Sequence, residues 1–370
     1  MKILIRLLFV VIEPATLHAT PIGTAVTNCA VGSFCNVPMK NLTGAIIASA
    51  GGGHILSYSS KMAWDNVNKK IYFVGSGHLE CTKFITYTDA TDTWTSVVPP
   101  WSPCPNPGDF FYHGYQHSTF DSVAQKYYVR RYGGGFADVY DVASGKWSVT
   151  SSNSQVGTQV NGGLEWFPDL GKILHFGDAN GPYGELWAYT QNSNSWARLG
   201  LADTYNTGPY DQSAVYSPVH HNVVFGGGGT RDIYKVNAAS VVSVVTPAPI
   251  IMNDSTPGGT IFTVDPISGN FLLIDAAGTI RELSFTNSAA GVWSTLSVKA
   301  PFVNASTGNG VYGVVATPLQ AYGAVGFLVC GGVADCNGGG APQFYIYKHQ
   351  QGSGILIPAA PSAPKNLMVN

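Results

Sequence analysis

The chain has 370 residues, a formal net charge of −2, 45% hydrophobic positions and only 11% charged ones. So few charges exclude the basic footprint of a nucleic-acid-binding protein, and no apolar run of the ~18 residues that would suggest a membrane-spanning helix follows the N-terminus. With 44 Gly, 22 Pro and 19 Tyr, the composition suits a large β-protein with many tight turns.

The N-terminus reads MKILIRLLFVVIEPATLHAT, with Lys2 ahead of an apolar run from Ile3 to Ile12 broken only by Arg6, and small residues at Ala19 and Thr20. Residues 1–20 read as a signal peptide, which places the mature protein in a secreted, extracellular or periplasmic compartment. Six cysteines fall into three sequence-local pairs, Cys29/Cys35, Cys81/Cys104 and Cys330/Cys336, none with CxxC spacing. Three loop-closing disulfides are expected.

From about residue 59 one block recurs: an apolar strand, a turn, a second apolar strand ending in glycines, a strand with a central aromatic, and an aromatic-led strand. The first copy offers SSKMAWD, NVNKKIYFVGSG, KFITYTDATDT and WTSVV. Anchoring each copy on its first turn gives Asp65, Asp121, Phe167, Ser217, Asp265 and Thr317. Trp94, Trp147, Trp196 and Trp293 open the fourth strand of four copies, and the fourth copy has lost its Trp. The sixth copy stops before a fourth strand. Near the N-terminus, GSFCNVP matches DTWTSVVP with Phe34 in the Trp position, so the two chain ends are expected to close one ring and remove its free sheet edges. The expectation is an all-β, six-bladed propeller of four-stranded antiparallel blades over residues 28–350. Seven blades would need one very degenerate copy. Residues 351–370 read as a Pro/Ala-rich linker.

These blocks resemble the kelch and galactose-oxidase-like propeller superfamily over roughly residues 30–350, at a repeat period of about 50 residues. The resemblance implies a fold; propellers host enzymes, lectins and scaffolds alike.

Packing explains what the copies share, so function is sought where they differ. The second copy opens with His113-Gly114-Tyr115-Gln116-His117 and its second strand ends Arg130-Arg131-Tyr132. Arg130 aligns with Val74, Phe176, Phe225 and Ile274, so a guanidinium stands where other blades carry core aliphatics or aromatics. His54, His78 and Glu80 belong to the first copy's loops, while Tyr210, Asp211 and Asp254 open the fourth and fifth. These loops share one face of the ring, and the set suits β-elimination on an acidic polysaccharide. Arg131 would neutralise a uronate carboxylate and so acidify the neighbouring C–H; His113, His117 or Tyr115 would move protons. Some propeller lyases acting on uronic-acid polymers look like this. His54, His78, Glu80, Arg130, Tyr132, Tyr210, Asp211 and Asp254 are the expected binding residues.

The alternatives are a carbohydrate- or protein-binding module without turnover, and a metal-dependent oxidase. For the oxidase, Tyr112-His113 is an echo of a copper-radical site, and His54, His78, His113 and His117 are the candidate ligands. With every cysteine expected in a disulfide, none is left for the oxidase cross-link, and no cofactor is assigned. The expected partner is a polysaccharide or other glycan, bound by a monomer. His175, within a second strand, is expected to be a core histidine with its hydrogen bonds met. His220 and His221 fall on the opposite face, and His349 ends the last blade.

Overall fold

A computed structural model describes residues 20–48, 54–76, 82–97, 114–130, 135–154, 156, 162–177, 183–200, 205–206, 212–253, 259–303, 310–331 and 341–350. Six antiparallel sheets follow one another along the chain. Their first strands are Ala63–Asp65, Ser118–Asp121, Gly163–Phe167, Gln212–Ser217, Ile261–Val264 and Val314–Leu319. Each first strand touches that of the next blade, and the sixth touches the first, so the six line one central axis. Blade 3 also carries a two-residue fifth strand, Tyr205–Asn206.

The hairpin between first and second strands shows why this sequence makes blades. Asp65 Oδ1 accepts from the Val67 and Asn68 amides (2.9 and 3.1 Å), Asp121 Oδ1 from Val123 and Ala124 (2.8 and 2.9 Å), and Asp265 Oδ2 from Ser268 (2.8 Å). A carboxylate that caps its own turn favours this bend over continued strand. The residue closing the turn is left-handed in all six blades: Lys69, Gln125, Gly171, His221, Gly269 and Gly323.

Outer strands repeat a second device. Trp94 stands opposite Tyr87, Trp147 opposite Tyr140 and Trp196 opposite Tyr189, with ring centroids 5.1, 5.2 and 5.1 Å apart. The N-terminal strand Ser33–Val37 pairs with Gln343–Lys348 as the fourth strand of blade 6, and Phe34 stacks on Tyr347 at 4.5 Å in the same register position. The expected closure is present. It is reinforced by helix α1 (Pro21–Asn28), capped by Thr20. The Ile22 amide of α1 donates to Asp89 Oδ1 (3.2 Å), and Tyr87 and Tyr322 donate to the same buried carboxylate. One acid thus ties the N-terminal helix to blades 1 and 6. Cys29 and Cys35 are bonded to each other as expected. Cys330 is also disulfide-bonded, while Cys81, Cys104 and Cys336 lie outside the described residues.

Between blades the sheets pack face to face through continuous apolar clusters. On the axis the filling is polar. Lys61 Nζ, from the lead-in to blade 1, donates to Leu164 O of blade 3 (2.7 Å), to Ala214 O of blade 4 (3.2 Å) and to the Glu165 carboxylate. Gln116 of blade 2 donates to Phe262 O of blade 5 (3.2 Å) and accepts from the Ala214 amide (3.0 Å). Two side chains, one from blade 1 and one from blade 2, thereby brace blades 3, 4 and 5 across the ring. Burial pushes the Glu165 carboxyl up, and the Lys61 ammonium only partly offsets this.

Blades 5 and 6 share a pair with a definite pH signature. His349 Nε2 lies 2.9 Å from Glu282 Oε1 and its Nδ1 lies 3.1 Å from Tyr347 Oη. Burial alone would lower the His349 pKa, but the hydrogen bond to Glu282 and the charges of Asp265 and Glu282 outweigh it and raise the pKa. The same hydrogen bond, opposed by burial, holds Glu282 low. The raised His349 contributes stability that is lost as pH climbs through its folded pKa. The depressed Glu282 contributes stability that is lost as pH falls through its own. The pair should therefore stabilise most between about pH 4.5 and 6.5, the ordinary pKa values of the two groups. Denaturant midpoints of the wild type and Glu282→Gln should differ most in that window, and the difference should shrink as pH rises above it. A difference independent of pH would contradict the pairing.

Candidate functional site at the upper face

The upper face is the one on which the lead-in to each first strand opens, opposite the Asp-capped hairpins. Of the expected site residues, His54, Tyr115, His117 and Arg130 are described; His78, Glu80, His113, Arg131, Tyr132, Tyr210, Asp211 and Asp254 lie outside the described residues.

The lead-in to blade 2 is held against blade 1 by its backbone. The Tyr115 amide donates to Tyr58 O (2.6 Å), the Ser60 amide to Tyr115 O (3.1 Å), and Ser59 and Tyr115 form a parallel bridge. This seam leaves no room at Gly114, where a Cβ would lie 1.9 Å from Ser59 Oγ. Both tyrosines are left-handed, Tyr58 at φ 51 and Tyr115 at φ 26. For a bulky L-residue that conformation costs about 1–2 kcal/mol each, and such strain clusters where side chains are aimed for a purpose.

The aim is visible in the rings. The Tyr115 ring lies 5.3 Å from His117 and 6.4 Å from Tyr58, Tyr58 lies 5.5 Å from Tyr312 of blade 6, and Tyr312 lies 6.2 Å from His54. Lead-ins from blades 6, 1 and 2 can meet this closely only where blades converge on the axis. Tyr58 and Tyr312 are half-buried, whereas Tyr115 and His54 are nearly covered. Tyr58 and Tyr312 were not among the residues singled out from sequence. An aromatic just ahead of the first strand in three successive blades was the available signal.

Behind this arc lies a buried basic group. The Arg130 amide donates to His117 O (2.9 Å), so the two residues face each other across neighbouring strands. Strand alternation turns His117, Arg130 and His175 into the space between blades 2 and 3, and all three are at most 1% exposed. Burial lowers the Arg130 pKa to about 9, which leaves the guanidinium charged at neutral pH. Burial depresses His175 well below the usual histidine value, and the nearby Arg130 and His117 push it further down. His175 is thus neutral, and neither ring nitrogen makes a hydrogen bond, contrary to the expectation of a satisfied core histidine. Its ring is pressed against the blade 3 lead-in, where a Cβ on Gly162 would fall 2.6 Å from Nε2.

One alignment needs correction. The hairpin register pairs Ser217 with Asn222 and Asp121 with Lys126, so Gly226, not Phe225, occupies the Arg130 position in blade 4. Phe225 turns the other way, into the cluster with blade 3. Val74, Phe176 and Ile274 do match, so the guanidinium replaces apolar groups in three blades. On the lower face, exposed His221 lies 3.1 Å from Asp169, and half-buried His220 stands edge-on to Phe285. Among the described residues no group of three His, Cys, Asp or Glu is placed to hold a metal ion. Nor is any helix among them long and apolar enough to cross a membrane.

No protein-family model matches the chain, and no curated protein matches it by sequence. Solved structures do. A protein of unknown function from Bacteroides thetaiotaomicron aligns at 15% identity over 85% of this chain and 76% of its own, with a TM-score of 0.53. Virginiamycin B lyase from Staphylococcus aureus aligns at 10% identity over 80% of this chain and 86% of its own, TM-score 0.48. A chain of the nidogen/laminin complex aligns at 11% identity over 72% and 87%, TM-score 0.49. At these identities the likeness concerns fold alone, and the chain is an all-β, six-bladed propeller.

Proposed function

We propose that the protein is a secreted, monomeric, carbohydrate-active propeller of the kelch-like kind, which cleaves a uronate-containing glycan by β-elimination on its upper face. The observation that carries this reading is strained Tyr115, seamed to blade 1 and set against His117, with the charged Arg130 directly across from that histidine. A buried cation beneath a site raises the potential felt by an incoming carboxylate and stabilises the enolate-like charge that develops when the adjacent C–H proton leaves. Neutral His175 adds no second positive charge to that pocket. Tyr115 is the proton-transfer group of the described set, and fully buried His117 positions its ring. We assign His113 and Arg131 to the same chemistry, and His54, His78, Glu80, Tyr132, Tyr210, Asp211 and Asp254 to glycan binding.

Incubation with a panel of polyuronates should release unsaturated uronate, read by its ultraviolet absorbance. Tyr115→Phe should lower the rate by about 10²-fold or more, the usual weight of a general acid or base. Failure to form product on any uronate polymer by folded protein overturns the lyase reading. A non-catalytic glycan-binding module is the second reading, favoured by the complete burial of His117 and Arg130. Glycan binding without product would identify it.

A further inference from the structure

Among the described residues, Tyr58 and Tyr312 belong to none of the apolar clusters that join one blade to the next. By contrast, both rings of the Tyr87–Trp94 and Tyr189–Trp196 stacks are buried in such clusters. Tyr58 and Tyr312 instead meet each other edge to face at 5.5 Å near the axis, half-buried, with one of them in a backbone conformation that glycine would adopt without strain. Below them, the Lys61 and Gln116 side chains cross the axis and are committed to backbone acceptors. A ligand at this mouth therefore meets an aromatic wall on blades 6 and 1, with the His54 imidazole beside it. His54 Nε2 is itself within 3.4 Å of Ser57 Oγ.

We propose that Tyr58 and Tyr312 form a stacking subsite for a pyranose ring of the bound glycan. The chemistry fits the wall. A sugar ring offers an apolar face of C–H groups to the electron-rich face of a tyrosine, and its hydroxyls stay at the edge, where polar partners can reach them. Stacking of this kind is insensitive to the carboxylate, so the subsite recognises the ring and the basic group of blade 2 recognises the charge. The inference rests on the upper face being a glycan site, but not on that site being catalytic.

The test is calorimetric titration of the full chain with short oligomers of galacturonate, glucuronate, mannuronate and guluronate, and with their carboxyl-reduced counterparts. Tyr312→Ala should bind both acidic and reduced oligomers about tenfold more weakly, and Tyr312→Phe should bind as the wild type does. Tyr58→Gly removes a ring while relieving the left-handed strain, so it should keep the wild-type melting temperature and still lose about tenfold in affinity. Wild-type affinity in folded Tyr58→Gly and Tyr312→Ala overturns the subsite, even if unsaturated product still forms. The expected affinity losses in a protein that forms no product uphold the subsite and sink the lyase. No binding of any oligomer by the wild type overturns both.

Discussion

A chain lacking residues 1–37 should fail to fold cooperatively and should aggregate, whereas the full chain gives a single unfolding transition. The truncation removes the five-residue ladder on Gln343–Lys348, the Phe34 stack on Tyr347, the contacts of Phe34 with Phe302 and Phe327, and the α1 amide held by Asp89. It leaves an open edge of six residues with Phe344, Ile346 and Tyr347 behind it, the kind of surface that recruits other chains. Domain stability is commonly only about 5–15 kcal/mol, and a whole strand with its buried cluster accounts for a large part of that. Phe34→Ala isolates the stack and should cost about 2–3 kcal/mol, somewhat under the usual loss for a core Phe because the ring is only half-buried. Phe34→Trp restores the residue used in four other blades and should be close to neutral. Circular dichroism melts and light scattering on the three variants read these outcomes. A truncated chain that melts like the full one would show that the ring does not depend on its N-terminal strand.

The second large effect lies on the axis. Lys61→Met should cost about 3 kcal/mol or more, because it strands a largely buried Glu165 carboxylate and removes the donor to Leu164 O and Ala214 O. Glu165→Gln keeps an acceptor for the Tyr216 amide, 3.1 Å from Oε1, and should cost less. In a double-mutant cycle the combined loss should fall short of the sum by about 1 kcal/mol or more, the signature of a direct pair. Strict additivity, or a Lys61→Met loss under about 1 kcal/mol, would place this pair with solvent-screened surface pairs instead.

How much of this was legible in sequence follows from where the information lies along the chain. The blade repeat, the Asp-capped hairpins and the role of Phe34 are local patterns, and local patterns repeat visibly. Each is set by a turn residue or an aromatic at fixed spacing. The axial brace has no such signature: Lys61 reads as an ordinary strand-lead residue and Gln116 as one member of the second copy's unusual opening, and only ring closure brings them to carbonyls some 100 to 150 positions away. His175 misled for a related reason. A histidine in a buried strand is usually satisfied, but its surroundings here are supplied by the neighbouring blade, where Arg130 breaks the consensus. Phe225 slipped by one position because a glycine-rich strand end offers no side chain to fix register, and one residue reverses the face. Tyr58 and Tyr312 were hidden by position: they precede the repeat as it was delimited, and their common placement emerges only when the lead-ins are superposed around the axis.

The central claim is that the upper face of blades 6, 1 and 2, rather than the hairpin face, receives the ligand. Hydrogen exchange of the full chain with and without a bound oligouronate tests it directly. The account predicts slowed exchange in residues 54–60, 114–118 and 310–314, with the hairpins at 65–70, 121–126 and 265–270 unchanged. Protection confined to those hairpins, with the three lead-ins unaffected, would contradict it.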